Sequence, residues 1–149
     1  MNIELNGSEQ INASPADLWE SVIDPAVLQR AIPGCISMTE TGEGQYQMAL
    51  ELKVAAVGGS FDGAVSLSEI NPPHSCVITV SGSGTLGTGG GNATVAITEG
   101  DDGNALISYQ AQGEVSGLVA GVGQRILMGV AKHLARQFFA ALKKEFAAA

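Results

Sequence analysis

The sequence predicts an α+β domain in which a curved antiparallel sheet of about seven strands wraps around a long C-terminal helix. Three observations carry that expectation. Apolar and polar residues alternate through most of residues 2–115. The breaks between alternating stretches are short and rich in Gly, Asn, Asp and Pro. From Leu118 the apolar spacing switches to every fourth residue. Short connections between half-apolar strands belong to antiparallel sheets with one buried face. A sheet and a helix that are each apolar on one side cover one another.

The elements follow in order. Residues 2–11 set Ile3, Leu5 and Ile11 against Asn2, Glu4 and Asn6, which makes a first strand. Ser14-Pro15-Ala16-Asp17 then opens a helix: Ser14 caps it, Pro15 suits the first helical position, and Asp17 completes a capping box. That helix carries Leu18, Trp19 and Val22. Asp24-Pro25 repeats the start signal for a second short helix to Ala31, which ends because Pro33 disfavours helical backbone at the residue before it. Strands are expected at 36–40, 45–54, 60–70, 76–82, 91–99 and 104–115. Turn signals separate them at Thr41–Gly44, Gly58-Gly59, Asn71-Pro72-Pro73, Gly87–Gly91 and Gly100–Gly103. In the last segment Val122, Ile126, Val130, Leu134, Phe138 and Leu142 recur at helical spacing. A helix from Leu118 would run ~28 residues, or ~42 Å at 1.5 Å per residue.

The chain has 149 residues, which fits one domain spanning 1–149. Its 45% hydrophobic content is globular, and its 15% charged content is low, so a disordered chain is excluded. No run of ~20 apolar residues offers a membrane span, and Glu4 and Glu9 interrupt any secretory apolar stretch, so a cytoplasmic location is expected. The net charge of −8 argues against a nucleic-acid partner. The charge is unevenly spread. The last 25 residues hold five bases and one acid; the other 124 hold two bases and 14 acids. Arg125, Lys132, Arg136 and Lys143 fall on one face of the last helix, with Met128 and Phe139 beside it. That face is expected to meet an anionic membrane or an acidic partner.

Catalytic chemistry finds little support. Cys35, Cys76, His74 and His133 lack metal-ligand spacing, so no metal and no covalently bound cofactor are expected. Gly82-Ser83-Gly84-Thr85-Leu86-Gly87 matches G-x-G-x-x-G, but a strand pattern follows where a dinucleotide site needs a helix. Glu51 and Asp62 read as the polar side of strands. An apolar interior remains. Trp19, Pro33, Gly34, Tyr46, Met48, Phe61, Leu67, Val80, Tyr109, Val122, Ile126, Val130 and Leu134 are expected to line a cavity, either hollow for a hydrophobic small molecule or filled as a core. The hollow alternative gains from the many Gly and Ala residues near the inner surface.

Several local patterns resemble one family. They are Ala13-Ser14-Pro15 with Leu18-Trp19, Asp24-Pro25, Ile32-Pro33-Gly34-Cys35, Gly59-x-Phe61-x-Gly63, Tyr109, Gly117-Leu118-Val119-Ala120 and Gly123-Gln124-Arg125. Together they resemble the G-subunit family of carbon monoxide dehydrogenase over nearly the whole chain. The resemblance implies a START-like helix-grip fold with a hydrophobic cavity suited to a lipophilic ligand such as an isoprenoid quinone. It also implies a non-enzymatic accessory role, recruiting a carbon monoxide dehydrogenase-type molybdenum hydroxylase to the inner face of the cytoplasmic membrane. Pro33 and Gly34 would shape the cavity mouth, and Arg125 would meet a polar head group or a partner carboxylate. With the chain ending at Ala149, membrane contact is expected to rest on the helix face. Two alternatives stand beside this one. A polyketide cyclase or dehydrase-like enzyme would need Tyr46, Tyr109 or His133 in the cavity as an acid or base. An interaction module would have a filled core.

Overall fold

A computed structural model describes residues 2–54, 57–72, 74–84 and 87–146, and of residues 52–54, 57–58, 101, 118 and 119 the backbone alone. Pro73, Thr85, Leu86 and residues 147–149, which enter the sequence reading, lie outside the described residues. The elements run β1 (Asn2–Ile11), α1 (Pro15–Val22), α2 (Pro25–Ala31), β2 (Cys35–Gly42), β3 (Gln45–Val54), β4 (Val57–Asn71), β5 (Ser75–Gly84), β6 (Gly87–Glu99), β7 (Ala105–Ser116) and α3 (Gln124–Glu145). The seven strands form one antiparallel sheet in the order β1-β7-β6-β5-β4-β3-β2. It wraps around the helices in a START-like, helix-grip arrangement.

The helix starts follow from their caps. The Ser14 hydroxyl accepts from the Asp17 amide at 3.2 Å, and the Asp24 carboxylate accepts from the Ala26 amide at 2.9 Å. Each satisfies an amide that a helix start leaves without a partner. The long helix differs from its expected start. Leu118–Val122 form a short 3-10 segment, bounded by Gly117 (φ 90°) and Gly123 (φ 97°), and α3 begins at Gln124. Those left-handed backbones suit glycine and interrupt a continuous helix. The resulting 22 residues span ~33 Å.

The glycines at 87–91, expected as a turn, instead begin β6: Gly87 pairs with β5, and Gly89, Gly90 and Gly91 pair on both sides. Gly58 and Gly59 likewise pair with Lys53 and Leu52 inside β4. Ladder pairing outweighs the weak strand preference of glycine here.

The interior divides along α3. Its C-terminal half is packed: Phe139 and Leu142 join Ile11, Leu18, Trp19, Val22 and Ile97 in the main cluster. Arg30 of α2 holds Glu145 at the helix end, with 2.8 and 2.6 Å contacts to one carboxylate oxygen. Among the described residues, the N-terminal half has a small cluster, Leu127 with Ile3, Phe61, Val115, Val122 and Val130 around it. Gln124 ties that end down by donating to the Asn2 carbonyl at 3.1 Å.

Candidate functional site

An apolar cavity of about 440 Å³ lies between the sheet and the N-terminal half of α3. From the helix, Leu127, Val130, Ala131 and Leu134 face it. Their i, i+3, i+4, i+7 spacing is the inward stripe of a helix. From the sheet come Ile3 and Leu5 of β1, Met48 and Leu50 of β3, Phe61 of β4, Ile78 and Val80 of β5, and Ala93, Ala111 and Val115 of β6 and β7. Gly82, Gly87, Gly89, Gly91 and Gly113 complete the sheet side. Strand register sets Gly82 opposite Gly63 and Gly89, and Gly91 opposite Gly113. Side chains are missing on the sheet side of the cavity, across from the helix stripe, and that absence leaves the space.

Of the residues expected in the cavity, Met48, Phe61, Val80, Val130 and Leu134 line it. The others stand elsewhere. Trp19 belongs to the packed end, where Tyr109 also packs. Tyr46 is buried with Met48 and Val65 in a second cluster, and Leu67 packs against it. Val122 packs on Leu127. Ile126 is 49% exposed, because the inward stripe begins at Leu127 and turns Ile126 about 100° away. Pro33 and Gly34 form a junction: Gly34 takes φ 75°, and its carbonyl accepts from the Glu51 amide at 2.8 Å, pinning the start of β2 to β3. Sequence reasoning left out Leu127 and Ala131 of the helix, and Ile3, Leu5, Leu50, Ile78, Ala93, Ala111, Val115 and the glycines of the sheet. Strand alternation places the apolar sheet residues on the inner face, but it does not say where along a strand the interior is hollow, and Gly87 and Gly89 lie in a stretch with the composition of a turn.

The basic face also needs correction. Arg125, Lys132 and Arg136 are exposed and make no ion pair among the described residues. Lys143 approaches Glu9 at 3.6 Å. Met128 is half-buried. Phe139 is not on the surface: it is 7% exposed, stacked on Tyr109 with ring centroids 5.1 Å apart and edge-on to Phe138 at 5.2 Å. The stack on Tyr109 of β7 and the main cluster bury Phe139 beyond what helical periodicity alone predicts.

The three candidate acids or bases do not meet in the cavity. Tyr46 and Tyr109 stand in packed clusters, and His133 is exposed. Burial, with the nearby Glu40 and Asp24 carboxylates, pushes the Tyr46 hydroxyl above its ordinary value. That is away from the range that suits acid–base work near neutral pH. Burial also raises the Cys35 and Cys76 thiols, which disfavours the nucleophilic thiolate. His74 is exposed in the turn before β5, and Glu51 and Asp62 are exposed on their strands. Gly82-Ser83-Gly84 ends β5 and Gly87 begins β6, so no helix opens at the glycine motif. Among the described residues, no group of three His, Cys, Asp or Glu is placed to hold a metal, and no helix is long and apolar enough to cross a membrane.

Comparison with known proteins places this geometry in context. The family model for the G subunit of carbon monoxide dehydrogenase (CoxG) matches residues 7–147. A conserved protein from Geobacillus kaustophilus is 34% identical, with a TM-score of 0.93 over 99% of this chain and 95% of its own. The Mycobacterium smegmatis protein Ms6760 is 16% identical, with a TM-score of 0.71 over 97% of this chain and 91% of its own. The di-domain ARO/CYC protein BexL, from the BE-7585A biosynthetic pathway, is 13% identical with a TM-score of 0.70; the match covers 99% of this chain and 51% of BexL. The last two likenesses concern the fold alone. No curated protein matches the sequence.

Proposed function

The chain belongs to the CoxG family, the G subunits of carbon monoxide dehydrogenase, and on that basis we propose that it is a non-enzymatic carrier and recruitment factor. It holds a lipophilic molecule, such as an isoprenoid quinone, between the sheet and α3. It brings a carbon monoxide dehydrogenase-type molybdenum hydroxylase to the inner face of the cytoplasmic membrane. Family membership and fold support a ligand- or partner-binding role over catalysis. The observation that carries the carrier reading is the 440 Å³ apolar cavity, which falls within the ~300–1,000 Å³ of small-molecule pockets. Organic extraction of the purified protein, followed by mass spectrometry, tests it. A stoichiometric lipid or quinone is the expected result. A protein that comes empty and takes up no quinone on titration would leave a recruitment module alone.

The membrane half of the reading rests on Arg125, Lys132 and Arg136, exposed along α3. Basic residues at an anionic surface contribute about 1 kcal/mol each. Binding to anionic liposomes is therefore expected to weaken at least about a hundredfold when all three become glutamate, and to fall between 50 and 500 mM salt through screening. Liposome co-sedimentation reads both effects. Binding that ignores salt and charge reversal would remove this face from the docking surface.

A further inference from the structure

Among the described residues, no polar side chain is aimed into the cavity. Strand alternation decides this, because successive side chains point to opposite faces. Ile3 and Leu5, Ile78 and Val80, and Ala111 and Val115 belong to the inner face. Ser81, Thr88, Asn92, Gln112 and Glu114 also border the cavity, but each lies between inner-face residues and is exposed. They reach it through backbone that the neighbouring glycines leave bare. That backbone is committed to strand pairing, Ser81 with Gly90 and Asn92 with Gln112. A polar group carried inside would lose its water and gain no partner, which is unfavourable.

The glycine floor is open rather than crowded at two points. A Cβ built on Gly82 meets only the Asp62 carbonyl, at 3.6 Å; one built on Gly89 meets the Glu114 carbonyl at 3.7 Å and Val115 at 3.9 Å. These are ordinary contacts, so a larger residue at either position extends into the cavity without displacing the backbone.

We propose that the cavity takes the hydrocarbon chain of an amphiphile, tail first along the glycine floor, and leaves the polar head outside, with Gly82 and Gly89 setting how much chain is admitted. The inference rests on the carrier reading and adds to it the orientation of the cargo. Selection is then by chain length, and head-group chemistry has little influence on affinity.

The test uses the full chain after delipidation, titrated calorimetrically. The probes are 2,3-dimethoxy-5-methyl-1,4-benzoquinone, its decyl derivative, and a series of n-alkanols. The decyl quinone and decanol are expected to bind within tenfold of each other, and the bare ring at least a hundredfold more weakly. The alkanols should tighten about fourfold per methylene and then level off where the cavity is full. Gly82→Leu should weaken decyl-quinone binding at least tenfold and bring the plateau to a shorter chain, with the unfolding midpoint kept. Gly89→Leu serves the same purpose if Gly82→Leu does not fold. A bare ring that binds within tenfold of its decyl derivative, or affinities that ignore chain length, would overturn the orientation and leave the carrier reading standing. No binding of any probe to the folded protein would overturn both. Folded glycine variants that bind as the unaltered protein does would overturn the role of the two glycines.

Discussion

Phe139→Ala is expected to lower the unfolding free energy by about 4 kcal/mol, read by urea denaturation. The side chain is 7% exposed and shares the main cluster with Leu142, Trp19 and Ile107. Removing it forfeits its transfer free energy and leaves a void, because the β6–β7 sheet and α1 around it have no slack to fill the gap. It also removes two ring contacts, the stack on Tyr109 and the edge contact with Phe138, each worth about 1 kcal/mol beyond area. Tyr109 precedes Ala111 on the inner face of β7, and Ala111 lines the cavity, so the ring pair stands next to its packed end. A surface phenylalanine would change stability by at most about 0.5 kcal/mol. A loss that small would return Phe139 to the docking face of α3 and remove the packed end from the description of the cavity.

The elements were largely legible because their signals are local. Ser14 and Asp24 cap with their own side chains, and each is followed by a proline at the first helical position. The alternation of β3 and β7 needs only neighbouring residues to be read. The misplacements involve features that local patterns do not carry. Leu118 and Val122 keep the spacing of α3, but Gly117 and Gly123 take left-handed backbone and separate a 3-10 segment from it. Gly87–Gly91 looks like a turn by composition, and becomes strand because β5 pairs with all of it and β7 pairs with it from Thr88 on. Phe139 falls between the apolar and basic arcs on a helical projection, and the neighbours that bury it, the Tyr109 ring of β7 and the main cluster, belong to other elements that helical spacing does not show.

The apolar inner face was legible in the sequence; whether and where it is hollow was not. Apolar periodicity marks the inner face of every strand, and it weights large residues such as Trp19, Tyr46 and Tyr109. Those are the residues that fill space, and they stand in the packed clusters. A cavity forms where large residues are missing. Glycine carries no hydrophobic signal, so the row from Gly63 through Gly82 to Gly89 becomes visible as an inner surface only when the register is known. The same reasoning separates Ile126 from Leu127. Both fit an apolar stripe by spacing, and packing against Ile3, Phe61 and Val115 selects the second.

Two glycines on one strand should respond in opposite ways to the same substitution. Gly91→Ala is expected to cost about 3 kcal/mol; Gly89→Ala is expected to be neutral or to stabilise by about 0.5 kcal/mol. Both residues lie on β6, face the cavity and have no left-handed backbone. The difference is the neighbour. A Cβ on Gly91 would press on the Gln112 carbonyl of β7 and stand 2.8 Å from the Gly113 Cα. Those are backbone atoms of a paired strand, and they yield only if the β6–β7 ladder opens. The nearest atom to a Cβ on Gly89 is 3.7 Å away, so alanine there restricts the unfolded chain without straining the folded one. Gly91 therefore lets two strands approach where the sheet curls around α3, whereas Gly89 leaves room beside the helix. Urea midpoints of the two variants, measured side by side, separate these roles. Equal costs would mean that the β6–β7 ladder relaxes around a side chain at Gly91. Curvature would then need another source, and both glycines would serve only to keep the cavity open.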